Sequence, residues 1–250
     1  MPIAYVRHLT SRHRTTQANR HLGFTLCFVA GSINAGGFLA VQQYTSHMTG
    51  IVSSMADQIV LGAYELVWDG AGGLLSFLAG AACSAMLINY ARRREMHSEY
   101  GLPLLVEAML LLCFGVMGAW LSHIEGLFVP ATVMLLCFIM GLQNAVITKL
   151  SHAEIRTTHI TGIVTDIGIE LGKLLYWNRG SVPDRTPVRA NRQRIAVLCG
   201  LAGCFLAGGV AGAVGFKHVG YVSTLPLAVI LVVLASVPAI DDVKAWRHRR

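Results

Sequence analysis

Runs of about 20 apolar residues recur along the chain and constrain its fold more than any other feature. A helix needs about 20 residues to cross the hydrocarbon core of a bilayer. Only 13% of the residues are charged, against about 25% in soluble domains. The sequence therefore predicts an all-α, polytopic membrane helix bundle with six full spans, at residues 22–41, 71–91, 102–122, 128–148, 195–216 and 219–239.

Two more segments, 49–66 and 160–177, are apolar but short or charged. The second carries Asp166, Glu170 and Lys173 at spacings of four and three, which places them on one helical face. A charge at the bilayer centre costs at least about 2.5 kcal/mol. Both segments are therefore predicted to be short re-entrant or interfacial helices, and not full spans.

The sequence repeats itself. LCFVAGSINA at 26–35 returns as LCFIMGLQNA at 136–145, and HMTGIV at 47–52 returns as HITGIV at 159–164. FLAG at 77–80 and LPL at 102–104 return in the same order, at 205–208 and 225–227. This pattern predicts a duplication into repeats 22–126 and 127–240. Basic tails at 1–21 and 241–250 flank them, and a basic cytoplasmic loop at 178–194 interrupts the second repeat.

The distribution of Lys and Arg predicts the topology. With six crossings and cytoplasmic termini, all 20 Lys and Arg residues except Lys217 face the cytoplasm. With eight crossings six of them, Lys217 included, would lie outside, and the Lys/Arg bias of short loops sets orientation. Six spans in two equal halves give three spans each, so the second half enters the membrane inverted relative to the first. Inverted repeats of this kind are typical of secondary transporters.

The GSINA and GLQNA blocks, together with TSHMTG and RTTHITG, resemble the bacterial YoaK family, also called DUF1275, over residues 22–239. The chain departs from the family pattern at Asn34, where relatives tend to carry an acidic residue, and at Ile51, where many carry Asn. The resemblance implies a protein of the inner (cytoplasmic) membrane with about six spans. It implies no particular solute.

Both hexamers read as starts of helices inside the membrane. Ser and Thr before them are predicted to cap the helices, and free N–H groups at a helix start attract anions and polar solutes. The alternative is a pair of capped helices that merely pack under loops. The predicted solute-binding residues are Asn34, Thr45, Ser46, His47, Thr49, Gly50, Gln143, Asn144, Thr157, Thr158, His159, Thr161 and Gly162.

Three acids are predicted to lie at membrane depth and to couple protons: Asp57, Glu107 and Asp166. Acids within membrane segments are functional candidates by default. Glu107 has an alternative interpretation, because it lies about one turn into its helix and could snorkel to the interface. Arg156 and Lys173 are the candidate partners of Asp166.

The predicted function is a membrane transporter or channel for a small polar or anionic solute, with a central site formed by the paired HMTG and HITG elements. An intramembrane enzyme and a membrane scaffold or sensor remain alternatives, although no complete nucleophile or metal constellation is present. No cofactor, metal or nucleic-acid partner is expected. Anionic lipid headgroups are expected at the basic loops. A homodimer is possible through two small-residue ladders, Gly72, Ser76, Gly80 and Ser84, and Gly200, Cys204, Gly208 and Gly212.

Overall fold

A computed structural model describes residues 16–96, 98–121, 125–150, 158–177 and 187–248. In this part of the chain all regular structure is helical, which confirms the predicted all-α class. The helices are α1 (Thr16–Val41), α2 (Met48–Leu61), α3 (Tyr64–Arg93), α4 (Gly101–Leu121), α5 (Glu125–Leu150), α6 (Ile160–Leu175), α7 (Arg192–Val219) and α8 (Thr224–His248), with a 3₁₀ turn at Gly220–Ser223.

Five apolar stretches of the described chain are long enough to cross a bilayer. The fifth, Arg192–Ser236, has 45 residues, about twice the length that one crossing needs. It contains α7, the 3₁₀ turn and the first half of α8. The apolar runs of the sequence therefore form the long helices of a membrane bundle, and α2 and α6 are the two short ones.

Several helix ends differ from the prediction. The short helix predicted to reach residue 66 ends at Leu61, because Gly62 adopts a φ of 74° and the N–H of Ala63 bonds the carbonyl of Gln58. This left-handed residue is a common way to stop a helix. Residues 16–21 and 241–248, predicted as tails, are helical. Residues 1–15 lie outside the described part.

Two pairs of long helices cross through the same motif, Phe-x-x-Gly. It occurs at 28–31 in α1, 77–80 in α3, 138–141 in α5 and 205–208 in α7. Where α1 crosses α7, a side chain on Gly208 would collide with the carbonyl oxygen of Phe28, and one on Gly31 would collide with that of Phe205. Each backbone therefore rests on the other, as small residues allow in membrane helices.

The crossing of α3 and α5 has the same reciprocal contacts. A side chain on Gly80 would meet the carbonyl oxygen of Phe138, and one on Gly141 would meet that of Phe77. Both predicted small-residue ladders thus contribute glycines to contacts inside the chain. The homodimer stays a prediction, and any such dimer would need surfaces other than these glycines.

Contact positions give the relative directions of the helices. Along the α1–α7 pair, Phe24 lies by Gly200 and Gly36 by Phe216, so the two helices run parallel. In contrast, α1 and α5 run antiparallel, because Leu26 contacts Gln143 and Gly37 contacts Leu136.

Helices α4 and α8 are also antiparallel, since Gly101 lies by Ala235 and Gly115 by Thr224. Consequently α1, α4 and α7 begin at one end of the bundle. We call it the basic end because it holds Arg92, Lys149 and Arg194. The buried core runs between the helices and includes Leu26, Leu104, Phe114, Ile139 and Leu231.

Candidate functional site

The first hexamer is tied to the helix that precedes it. After α1 the chain turns back through Gln42, which adopts a φ of 56°. The hydroxyl of Ser46 then donates to the side-chain oxygen of Asn34 over 2.9 Å. Asn34 lies seven residues before the end of α1, or roughly 10 Å into the helix. The start of α2 is therefore held inside the bundle.

The second hexamer has the matching contact. The hydroxyl of Thr158 donates to the side-chain oxygen of Asn144 over 2.6 Å, and Asn144 lies six residues before the end of α5. Twelve residues separate Asn34 from Ser46 and fourteen separate Asn144 from Thr158, yet the same pair of groups meets. We call these two contacts the hydroxyl–asparagine anchors.

The predicted capping by Ser and Thr is wrong for the hydroxyls that the structure describes. The N-cap residues are His47 for α2 and His159 for α6, and neither supplies a side-chain cap hydrogen bond. Ser46 and Thr158 give their hydroxyls to the anchors instead. Among the described residues, the first N–H groups of each short helix therefore have no intrahelical partner and no N-cap side chain that accepts from them.

Gly50 has a local role beside His47. A side chain on Gly50 would collide with Cδ2 of the His47 ring, so the imidazole lies over the first turn of α2. His47, Thr49, His159 and Thr161 are all exposed. The imidazoles are thus placed at the helix starts and are accessible from outside the chain.

The two elements approach the middle of the bundle from opposite ends without meeting. The contacts of α1 with α5 place Asn34 level with about residue 137 of α5. That position is roughly 10 Å from Asn144 along the helix axis. The structure therefore brings each hexamer to its own asparagine and leaves the two hexamers at separate levels.

An open groove of about 650 Å³ lies elsewhere, at the basic end. It is lined by α1 and α7, with Arg20, His21 and Phe24 on one side and Gln193 on the other. None of the predicted solute-binding residues lines it. Arg20 and His21 place basic side chains in this groove, and the expected contact with anionic headgroups stays a prediction.

Two of the predicted proton-coupling acids lie at the surface. Asp57 is exposed. Asp166 pairs with Arg194 over 3.1 Å, and their side chains are 41% and 52% exposed. Lys173, a candidate partner of Asp166, bonds Glu170 instead over 2.8 Å. Arg156 and Thr157 lie outside the described residues.

Glu170, which the sequence did not single out as a site residue, fastens α6 to the start of α7. Its carboxylate accepts hydrogen bonds from the Lys173 ammonium and from the backbone N–H of Asn191, both over 2.8 Å. The Lys173 bond and then the Asn191 bond hold the pKa of Glu170 below its ordinary value, since both favour the charged form. Asp166, Glu170 and Lys173 share one face of the helix, as predicted.

Glu107 is completely buried, with 0% of its surface exposed. Neither of its carboxyl oxygens has a hydrogen-bond partner among the described residues. The interpretation that it snorkels to the interface is therefore wrong. Gln143 is also fully buried, and its side-chain nitrogen donates to the carbonyl of Leu26 over 3.3 Å.

In the part of the chain that the structure describes, no group of three or more His, Cys, Asp or Glu side chains is placed to hold a metal ion. Sequence reasoning missed the hydroxyl–asparagine anchors, the Phe-x-x-Gly crossings and the Glu170 contacts. The repeated Phe and Gly positions carried a signal for the crossings. For the contact of Ser46 with Asn34, the sequence carried no signal beyond the presence of the same two blocks in both halves.

The chain is similar to a known family and to a curated membrane protein. The family described as "Protein of unknown function (DUF1275)" matches residues 22–237. The "UPF0700 transmembrane protein YoaK" of Bacillus subtilis (strain 168) is 24% identical over 155 residues, which cover 62% of this chain and 68% of YoaK. No solved structure matches the chain.

Proposed function

Since the chain belongs to the DUF1275 family and is a membrane protein, we propose that it is a transporter or channel for a small polar or anionic solute. The solute binds at the starts of α2 and α6, where the first N–H groups receive no hydrogen bond from the N-cap side chain and can bind an anion or polar group. The observation that carries this proposal is the pair of hydroxyl–asparagine anchors, which hold both helix starts inside the bundle.

Helix starts within a membrane bundle are how many transporters bind anionic groups. Each start here combines a positive dipole end with an imidazole, His47 or His159, and a neighbouring Thr hydroxyl. The two starts lie at different levels, so a solute would pass from one to the other. His47 and His159 are the proposed gating or donor groups.

We also propose that the two halves, α1–α4 and α5–α8, form an inverted repeat with six crossings and cytoplasmic termini in the inner membrane. The antiparallel pairs α1–α5 and α4–α8 support this, because each pair joins equivalent helices of the two halves. With eight crossings these equivalent helices would run parallel. The matched crossings of α1 with α7 and of α3 with α5 agree with the same symmetry.

Sided labelling tests the topology. In a background without the six native cysteines, single cysteines replace Gln43 and Arg94, and a membrane-impermeant maleimide is applied to each face. Six crossings predict that the two positions label from opposite faces. Labelling of both from the same face would mean eight crossings and would remove the inverted repeat.

Flux in proteoliposomes tests the transport proposal. Light scattering follows the volume of vesicles exposed to gradients of nitrate, formate, urea or glycerol. The purified protein is expected to speed the entry of at least one of these solutes, and Thr158→Val or His159→Ala is expected to abolish the increase. Thr165→Val is the matched control, because the Thr165 hydroxyl is exposed and bonds the carbonyl of Thr161 in its own helix.

The protein can be correctly inserted and every solute can still enter no faster than it enters protein-free vesicles. That result would argue for a scaffold or sensor. Equal flux through the wild type and the Thr158→Val variant would leave transport standing but would remove the anchors from the site.

A further inference from the structure

Two polar groups buried inside the bundle lack a hydrogen-bond donor among the described residues. Both oxygens of Glu107 and the side-chain oxygen of Gln143 are fully buried with no hydrogen-bond partner among the described residues. An ionised carboxylate and an amide oxygen only accept hydrogen bonds, whereas a protonated carboxyl also donates one. One added proton would therefore supply the missing donor.

The helices bring these two groups to one level. The Tyr100 hydroxyl, in the turn before α4, reaches the carbonyl of Lys149 on α5 over 3.5 Å. Glu107 follows Tyr100 by seven residues, which is two helical turns, so it lies on the same face of α4. Because α4 and α5 are antiparallel, that position is level with residues 142 and 143. Gln143 also points into the bundle, toward Leu26.

The next position on this face of α4 confirms its direction. Phe114, seven residues after Glu107, stacks with Phe216 of α7 at 5.9 Å and meets Tyr221 edge-on at 5.6 Å. Glu107 thus lies between two residues that both reach other helices across the core. The buried residues within four positions of Glu107 on α4 include Leu104, Ala108 and Leu111, and their side chains offer no hydrogen bond to a carboxylate.

Within the described helices, the charged residues lie at other levels than Glu107. Helix α4 packs mainly against α3, α5, α8 and the 3₁₀ turn, and its Phe114 also reaches α7. The charged residues of these elements lie near the ends of their helices: Glu65, Asp69, Arg92 and Arg93 in α3, Glu125 and Lys149 in α5, Arg192, Arg194, Lys217 and His218 in α7, and Asp241, Asp242, Lys244, Arg247 and His248 in α8. Their other titratable residues are Tyr64, Cys83 and Tyr90 in α3, Cys137 in α5, Cys199 and Cys204 in α7, and Tyr221 in the turn. Lys149 is seven residues from the level of Glu107, or roughly 10 Å.

We propose that Glu107 binds a proton and donates it to the side-chain oxygen of Gln143, and that this pair is the proton-binding site of the protein. An ionised carboxyl in such surroundings costs far more than a neutral one. Its role in coupling rests on the proposed transport function: the proton leaves for water when the bundle opens, and the carboxylate takes one up again before the core closes.

Infrared spectroscopy of the full-length protein in lipid, with no solute present, tests the pair directly. A protonated carboxyl has a C=O stretching band well separated from that of a carboxylate. The wild type at neutral pH is expected to show this band and Glu107→Gln to lose it. Asp69→Asn, which removes an exposed acid of α3, is the control and should leave the band unchanged.

The hydrogen bond is tested with Gln143→Met, which keeps the length of the side chain but offers no amide oxygen. The band is expected to move to higher frequency, as it does when a carboxyl loses an acceptor. Gln143→Leu is the second variant if the first does not elute like the wild type. An unmoved band would overturn the pairing, and a band that survives Glu107→Gln would overturn the proton site itself.

Transfer into heavy water tests the role of Glu107 in proton coupling separately from its hydrogen bond to Gln143. A coupling site must open to solvent, so the band is expected to shift as deuterium replaces the proton. A band that never exchanges would overturn the coupling role. Failure of transport would appear in the vesicle experiments alone, because none of these bands depends on solute flux.

Discussion

The two short helices start alike and are fastened differently. Both begin after a hydroxyl–asparagine anchor with a histidine at the N-cap. Helix α2 then packs through Ile51 and Met55 against the glycines at 70 and 73 of α3. Helix α6 is held to α7 by Glu170 and Asp166, which meet Asn191 and Arg194.

The two halves thus share the way the short helices start, and they differ in the contacts that hold these helices: apolar for α2 and ionic for α6. Apolar contacts respond little to pH or salt, whereas ion pairs near a surface respond to both. Conditions in the aqueous phase can therefore loosen α6 without loosening α2. If the two helix starts bind a solute in turn, only the one nearer the basic end is open to this control.

The largest expected effect tests what the halves share. Gly80→Ala and Gly208→Ala would each drive a methyl group into a backbone carbonyl at a helix crossing. Both should lower the free energy of unfolding by about 3 kcal/mol, as overpacking of a rigid contact does. Denaturation in SDS measures the loss. Gly203→Ala is the control, since a methyl group there meets nothing within 4 Å. A large loss at one crossing only would mean that the crossings are not equivalent.

The next effect distinguishes the halves. Glu170→Gln removes the charge that Lys173 and the N–H of Asn191 bind, so α6 should detach from α7 more often. Limited proteolysis should then cut the segment between α6 and α7 severalfold faster. Gln58→Ala, at the equivalent position of α2, should leave cleavage unchanged. If both variants were cleaved equally fast, the ionic contacts of α6 would not distinguish it from α2.

Acid should act on α6 alone. The pKa of Glu170 lies below its ordinary value of 4.5, so its contribution is present above that value and is lost as the pH falls through the lowered pKa. Spin labels at Gly172 in α6 and at Ser53 in α2 report the mobility of each helix. The label on α6 should gain mobility in this acid range, and the label on α2 should not. A gain on both helices would place the titrating group elsewhere.

Both anchors should contribute to stability, and the more buried one should contribute more. Thr158→Val and Ser46→Ala each remove one hydrogen bond and leave an asparagine oxygen without its donor. We expect each to cost about 1 kcal/mol. Asn144 is buried and Asn34 only half-buried, so Thr158→Val should cost more. A reversed order in SDS denaturation would show that burial does not decide the strength of the anchor.

The smallest effect concerns Asp166 and Arg194. Their pair is exposed on both sides, and exposed ion pairs contribute about 0–1 kcal/mol. Asp166→Asn should therefore change the unfolding midpoint only slightly, and high salt should abolish the difference from the wild type. A salt-independent loss of stability would mean that Asp166 has a second, buried partner.

The sequence predicted the helices well because each depends on a local property. A run of apolar residues long enough for a bilayer is visible without a structure, and so is the charged face of α6. The stop at Gly62 was missed, although glycine often ends helices, because the apolar pattern continues past it into Tyr64. The helical ends at 16–21 and 241–248 were missed because their charges resemble those of loops.

The site was harder to predict because its contacts depend on the fold. Recurrence in both halves identified Asn34, Ser46, Asn144 and Thr158 as candidates, but not that they bond each other. The choice of Arg194 as the partner of Asp166 depends on how α6 lies on α7. The burial of Glu107 likewise depends on which face of α4 turns inward, and the apolar residues on every side of it hide that face in the sequence.

The Phe-x-x-Gly crossings have a consequence for synthesis of the protein. Each crossing joins one helix of the first half to one helix of the second: α1 to α7, and α3 to α5. A ribosome that has finished only the first half has therefore delivered helices whose closest partners do not yet exist. The first half must wait in the bilayer, its glycine faces against lipid, until α5 and α7 arrive. Premature termination anywhere before α7 leaves a product that cannot complete its core.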